Sequence, residues 1–165
     1  MVRTEISLFL KNVPGELGTL TELLAGAGIN IDAITIQDAS SYVKELFKAR
    51  GKSLKRIASA ASYNSMSKDS TDFALVRLLP SSGTVDKAID LLSRNEYIFD
   101  IMPVIAVPIE NRPGELAKAA MRMGQEGINI NYVYGSSPGP DQPCLLIFCP
   151  DDIDHAARIF AKDHT

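Results

Sequence analysis

The sequence predicts an α+β protein built from two related βαββαβ units, each an antiparallel sheet with its helices on one face. The main observation is a repeat. Asn12-Val-Pro-Gly-Glu-Leu17, followed by Gly28-Ile-Asn-Ile31, returns 99 residues later as Asn111-Arg-Pro-Gly-Glu-Leu116 and Gly127-Ile-Asn-Ile130. Apolar periodicity changes from alternation to helical spacing at each copy, and a chain of 165 residues suits two small units of this kind.

The first unit, residues 1–102, contains six predicted elements. Alternating apolar residues predict the strands, and apolar residues at three- and four-residue spacing predict the helices. A slip in the alternation of the second strand indicates a β-bulge, and Thr84 is the expected N-cap of the second helix. The elements in order are strand Glu5–Leu10, helix Leu17–Ala27, strand Ile29–Ile36, strand Phe73–Leu79, helix Thr84–Asn95 and a short strand Tyr97–Ile101.

The second unit, residues 103–165, restarts the pattern after Pro103 but stops before a fourth strand. Its predicted elements are strand Val104–Ile109, helix Glu115–Gly124, strand Ile128–Tyr134, strand Cys144–Cys149 and helix Ile153–Lys162. In a sheet of order 4-1-3-2, the missing strand would leave Val104–Ile109 as an open edge, which proteins normally cover. Either another segment pairs there or the unit is truncated.

The first unit also carries a basic insertion at about residues 40–70, between its second and third strands. It holds seven Lys and Arg residues against two acidic ones, with apolar residues at helical spacing. A solvated amphipathic helical hairpin explains this composition, and a docking or nucleic-acid-binding arm is the alternative.

Composition excludes several classes of function. The net charge of -3 argues against general nucleic-acid binding, and no apolar segment suits a signal peptide or membrane span. Cys144 and Cys149 stand at odd separation on one predicted strand, so they point to opposite faces and do not form a disulfide. Two free thiols indicate a cytoplasmic protein.

The repeated loop has the features of a small-anion site. Its glycine permits a positive φ and a close backbone approach, and the following amides are helix-start donors without intrahelical partners. Such donors and the helix dipole favour a carboxylate, although Glu16 and Glu115 can instead satisfy the dipole internally. Asn12, Asn30 and their repeats offer donor and acceptor atoms for a free amino acid, or else simply cap turns.

With these motifs, the chain resembles a tandem pair of ACT domains, the small regulatory modules that bind amino acids. Pro-Gly-x-Leu at a helix start and Gly-Ile-Asn-Ile at the next strand carry the resemblance, which excludes about residues 40–70. It implies two ferredoxin-like units that bind amino acids at interfaces between domains. The ligand-binding residues that it implies are Asn12, Gly15, Glu16, Leu17, Asn30, Ile31, Asn111, Gly114, Glu115, Leu116, Asn129 and Ile130.

No catalytic, cofactor or metal site is expected. Asp151, Asp152 and Asp154 suit helix capping better than metal binding with His155, and Gly26-Ala-Gly28 ends a helix where a dinucleotide loop must open one. Tyr132 and Tyr134, at alternate strand positions, line either a pocket or a packed interface.

The sequence therefore favours a non-catalytic, allosteric amino-acid sensor that forms a homo-oligomer, expected to be a dimer. A regulatory subunit docked on a metabolic enzyme of amino-acid biosynthesis is one alternative. A repressor-like regulator that uses the basic insertion is another.

Overall fold

The computed structural model describes residues 1–39, 72–137, 139 and 142–161, so the basic insertion at 40–70 and His164 lie outside the described residues. Within these ranges the helices are α1 (Glu16–Gly26), α2 (Val85–Arg94), α3 (Glu115–Gln125) and α4 (Ile153–Ala161). The strands are β1 (Val2–Lys11), β2 (Ile31–Asp38), β3 (Phe73–Pro80), β4 (Phe99–Ile109), β5 (Ile130–Ser136) and β6 (Cys144–Pro150).

All six strands form one antiparallel sheet with the order β2-β3-β1-β4-β6-β5. The predicted fold class is confirmed, but the two expected sheets are one continuous sheet. Each half contributes a bulged edge strand, because the register shifts between Ile31 and Ala33 in β2 and between Ile130 and Tyr132 in β5. The predicted bulge in β2 is therefore confirmed, and it recurs in the repeat.

The interpretation of Pro103 as a break between two strands is wrong. β4 runs without interruption from Phe99 to Ile109 and serves both halves of the molecule. Proline is tolerated here because Pro103 pairs with Thr4 of β1, whereas the pairing of β4 with β6 begins only at Ile105. A proline without an N–H fits where the strand has no neighbour on that side. The expected boundary at residues 102 and 103 thus lies inside a strand, and the division into two domains stays a prediction.

The start of β1 covers the open edge expected at Val104–Ile109 as far as Ala106. Val2 pairs with Ile105, and the Ala106 N–H donates to the Met1 carbonyl oxygen at 2.9 Å. Pairing by another segment, one of the two alternatives that the sequence left open, is therefore observed along residues 104–106.

Two apolar cores lie between the sheet and the helices, one in each half. In the first, Ile6 and Leu8 of β1 pack with Leu20 and Leu24 of α1. In the second, Phe148 of β6 packs with residues of α3 and α4 and stacks on Phe160, with ring centroids 6.2 Å apart. The alternation of β1 and β6 directs these strand side chains to the helix face.

The opposite face of the sheet is concave, because the sheet curls until its edge strands β2 and β5 approach each other with Cα atoms within 8 Å. A third apolar cluster fills the concavity: Ala33, Leu79, Val104, Ala106, Ile147 and Cys149. Curling therefore brings the two halves into contact at a place remote from both helix-face cores.

Thr84 lies at the N-cap of α2, as expected, but its side chain makes no capping hydrogen bond. Its hydroxyl instead donates to the Ser81 carbonyl oxygen at 2.7 Å. Asp152 does cap α4 by accepting the His155 N–H at 2.9 Å, so the capping interpretation of this acidic residue is confirmed.

Candidate functional site

The two repeated loops have almost the same backbone conformation. Gly15 and Gly114 occupy the N-cap positions of α1 and α3 with φ of 94° and 95°, in the left-handed region that glycine adopts without strain. No side chain caps either helix. The Glu16 N–H donates to the Val13 carbonyl oxygen at 3.5 Å, and the Glu115 N–H donates to the Arg112 carbonyl oxygen at 3.3 Å. The other amides of each first turn, next to an exposed glycine, are the helix-start donors that suit a carboxylate.

An acidic residue stands in the first turn of each of these helices. Glu16 and Glu115 are half-buried, and Glu115 forms an ion pair with Lys118. A carboxylate at this position offsets the helix dipole, so internal compensation remains the competing interpretation of both loops.

The asparagine side chains differ between the two copies. The Asn30 amide donates to Ser81 Oγ at 3.2 Å and to Asp32 Oδ1 at 3.3 Å, which holds it at the start of β2. Asn111 donates to Ser137 Oγ at 3.1 Å and to the Gly139 carbonyl oxygen at 3.0 Å.

Asn12 and Asn129 are fixed through their backbones. The Asn12 N–H donates to the Asp72 carbonyl oxygen, and the Asn129 N–H donates to Asp151 Oδ1, both at 3.0 Å. All four asparagines are exposed. Their amide groups thus lie where a ligand could reach them.

The structure does not bring the loop and the strand-start asparagine of one half together. The 11 residues of α1 separate the loop from Asn30 by about 16 Å. The two loops also lie at opposite ends of the sheet, because β1 and β4 are antiparallel neighbours that each end at a loop. Ile31 and Ile130, both half-buried, pack at the edges of the two helix-face cores.

Leu17 and Leu116 follow the loop glycines in the first helical turns. Leu17 is half-buried, whereas Leu116 is 47% exposed. In this respect the second loop leaves more apolar surface accessible than the first.

The most buried polar group of the described chain was not predicted from the sequence. Glu5 on the concave face is fully buried and accepts hydrogen bonds from Tyr132 at 2.6 Å, Tyr134 at 2.7 Å and Ser7 at 3.1 Å. The Arg77 Nε lies 4.0 Å from the Glu5 carboxylate, and the Arg77 guanidinium lies 4.2 Å from the Tyr132 ring centroid. We call these five residues the Glu5 cluster.

The sequence predicts that both tyrosines of the cluster line a pocket or an interface, and the structure places them at the contact between the halves. Nothing in the sequence pattern marks Glu5 as the partner of these tyrosines, because an acidic residue at such a strand position ordinarily faces solvent. Only the curl of the sheet encloses it.

A second polar group lies next to the Glu5 cluster. Asp32 forms an ion pair with Arg3 at 2.8 Å and accepts hydrogen bonds from Ser81 and Asn30. Burial raises the pKa of Asp32, but the hydrogen bonds from Ser81 and Arg3 outweigh it and hold that pKa below its usual value. Asp32 is therefore ionised and helps to fix Asn30.

Burial, with the nearby Glu5 carboxylate, raises the pKa of Tyr132 and of Tyr134. The unfolded chain releases phenol protons near pH 10, whereas the folded chain holds these two to higher pH. The free energy of unfolding should therefore fall as the pH rises above about 10. Urea unfolding at several alkaline pH values measures this slope, and Tyr134→Phe should reduce it. An unchanged slope in that variant would contradict the assignment.

The loop glycines can be tested by substitution. Gly15→Ala should lower the free energy of unfolding by roughly 1–2 kcal/mol, because alanine is strained at φ of 94°. Gly18→Ala, three residues later within α1, is the matched control and should raise it by up to about 1 kcal/mol. Among the described residues, apart from the chain neighbours and the local helix backbone, no heavy atom lies within 4 Å of an added Cβ at either position. The two substitutions therefore differ in backbone strain and not in steric clash. Equal effects in urea unfolding would rule out the strain argument.

Two further concave features lie on the helix face at equivalent places in the two halves. A groove of about 450 Å³ lies between α1 and α2, and one of about 210 Å³ lies between α3 and α4. None of the predicted ligand-binding residues lines either groove. Among the described residues there is also no group of His, Cys, Asp and Glu that could hold a metal ion.

No helix in the described ranges is long and apolar enough to span a membrane. Cys144 and Cys149 are free, as expected from their separation on β6.

Comparison with solved structures confirms an ACT-like fold. Protein BT0572 from Bacteroides thetaiotaomicron superposes with a TM-score of 0.70 at 24% identity, covering 99% of this chain and 90% of that chain. The ligand-free regulatory subunit of aspartate kinase from Thermus thermophilus gives a TM-score of 0.56 at 13% identity, covering 99% and 95%. The corresponding subunit from Thermus flavus gives 0.53 at 13%, covering 100% and 96%.

These identities establish the fold alone. No protein-family model and no curated protein sequence matches the chain. The organisation of the ACT-like fold as a tandem pair of ACT domains therefore stays a prediction.

Proposed function

We propose that this chain is a non-catalytic regulatory protein that binds a free amino acid, or a similar small carboxylate, at interfaces between ACT-like domains. The observation that carries the proposal is the repeated helix start: an exposed left-handed glycine, no side-chain cap and an adjacent exposed asparagine, present in both halves. These groups suit a carboxylate, and the asparagine amides suit an ammonium as well as a carboxylate.

The separation of the loops from Asn30 and Asn129 suggests how binding is signalled. Since about 16 Å of helix lies between the loop and the asparagine of one half, a single amino acid cannot bridge them. A second chain could bring a loop next to a strand start. Ligand would then favour the associated state by a population shift, without any chemical step.

A thermal-shift screen of the free amino acids tests this function. At a hundredfold excess over Kd, a ligand adds about 2.7 kcal/mol of stability, which raises Tm by roughly 5–10 °C in a chain of this size. Asn30→Ala or Asn129→Ala should abolish the shift. Asn95→Ala, an exposed asparagine at the end of α2, is the matched control and should retain it. Sedimentation with and without the hit should show association.

A second candidate is a regulatory subunit that docks on an enzyme of amino-acid biosynthesis and needs no ligand of its own. The fold shared with the aspartate kinase regulatory subunits favours it. A flat amino-acid screen together with co-purification of such an enzyme would establish this candidate and eliminate the sensor.

A further inference from the structure

The closure of the curled sheet depends on side chains alone. In the described part of the chain, β2 pairs only with β3 and β5 pairs only with β6, so no backbone ladder joins the two edge strands where they approach. We call the line of contact between β5 and the first half of the sheet the seam. A seam without backbone hydrogen bonds can separate while every ladder of the sheet stays intact.

Polar contacts cross the seam beside the apolar concave cluster. Tyr132 and Tyr134 of β5 donate to the Glu5 carboxylate of β1, and Arg77 of β3 lies over the Tyr132 ring. Opening would return a carboxylate, a guanidinium and two phenols to water, which offsets much of the lost interaction energy. Exposing an apolar contact of the same area to water regains no comparable hydration free energy.

We propose that the seam opens and closes in the folded protein and that the Glu5 cluster is its latch. The helix-face cores hold each half together while the concave face is exposed, so opening is a local event rather than unfolding. β2 and β5 begin directly after Asn30 and Asn129, so the latch also sets the relative position of the two predicted ligand-binding asparagines. The latch itself does not depend on the proposed amino-acid binding.

The accessibility of the Cys149 thiol to a reagent measures how often the seam is open. It lies on the concave face opposite Tyr132 in the pairing of β5 with β6, and only 3% of it is exposed. A thiol reagent reaches it only when the seam opens or the protein unfolds. Cys144, which is half-buried, is replaced by serine so that one thiol remains among the described residues.

The experiment measures the rate of Cys149 labelling by iodoacetamide in the Cys144→Ser protein, followed by mass spectrometry. Glu5→Gln and Tyr134→Phe should each raise the rate by at least about tenfold, with little dependence on urea below the unfolding transition. Leu92→Ala, in the helix-face core of the first half, is the control for global destabilisation. In Leu92→Ala, the labelling rate of Cys149 should increase only as far as the free energy of unfolding decreases, and this increase should grow with the urea concentration.

The proposal is overturned if labelling in all variants follows global stability with one urea dependence, because exposure would then require unfolding. It is overturned equally if Tyr134→Phe, which removes one hydroxyl, folds normally and leaves the rate unchanged. A failure of Glu5→Gln to fold leaves Tyr134→Phe to decide. Neither result bears on the amino-acid screen, so failure of the latch and failure of the proposed function are distinguishable.

Discussion

Glu5→Ala is expected to lower the free energy of unfolding by about 3–5 kcal/mol. The substitution removes the acceptor of both Tyr132 and Tyr134 and leaves Arg77, whose side chain is only 16% exposed, without its carboxylate. Unsatisfied phenols and an unpaired guanidinium in a closed concavity cost more than the lost hydrogen bonds themselves. Urea unfolding followed by far-UV circular dichroism measures the change.

Two further variants test whether the loss of stability in Glu5→Ala comes from the buried hydrogen bonds of the carboxylate. Glu5→Gln keeps the shape and an acceptor oxygen, so it should lose clearly less stability than Glu5→Ala. Glu110→Ala removes a carboxylate that is 64% exposed and paired with exposed Arg112, and it should change the stability by no more than about 0.5 kcal/mol. A loss below about 1 kcal/mol for Glu5→Ala would mean that the cluster does not hold the halves together.

Phe148→Ala is expected to cost about 3–5 kcal/mol and to leave a single unfolding transition. Phe148 is fully buried in the second helix-face core and stacks on Phe160, so its loss leaves a cavity between β6 and α4. Because β4 belongs to both halves, the damage should lower the stability of the first half as well. Hydrogen exchange with peptides from β2 and β5 reports the two halves separately.

Leu116→Ala is the control for the Phe148 substitution, since Leu116 is 47% exposed and leaves no cavity. Two separate transitions in Phe148→Ala, with the β2 peptides still protected after the β5 peptides exchange, would contradict the single cooperative unit. That outcome would instead support the domain division expected near residue 102.

The sequence predicted the local elements well because local periodicity records them. The alternation around Ile6 and Leu8 identified β1, and the repeated Pro-Gly turn identified the starts of α1 and α3 within a residue or two. The bulge in β2 also left a visible slip in the pattern. Each of these features depends on neighbours in the chain.

The shared strand and the curl could not be predicted in the same way. Proline ordinarily ends a strand, and only the staggered neighbours of β4 make Pro103 acceptable. Glu5 meets Tyr132 across 127 residues of chain, and no local pattern encodes that contact. From the repeat, the loops were predicted at helix starts and Asn30 and Asn129 at strand starts, and the structure has them there. The repeat did not show that the loop and the strand-start asparagine of each half lie far apart.

The Glu5 cluster makes the two halves unequal at their contact. The residue 99 positions after Glu5 is Val104, and the residues 99 positions before Tyr132 and Tyr134 are Ala33 and Thr35. Val104 and Ala33 meet in the concave cluster as the apolar counterpart of the Glu5 contact. Two copies of the first half would therefore bury Glu5 without a phenol, and two copies of the second half would bury phenols without a carboxylate. One half therefore supplies the hydrogen-bond donors of this contact and the other half supplies the acceptor, so the contact needs both halves.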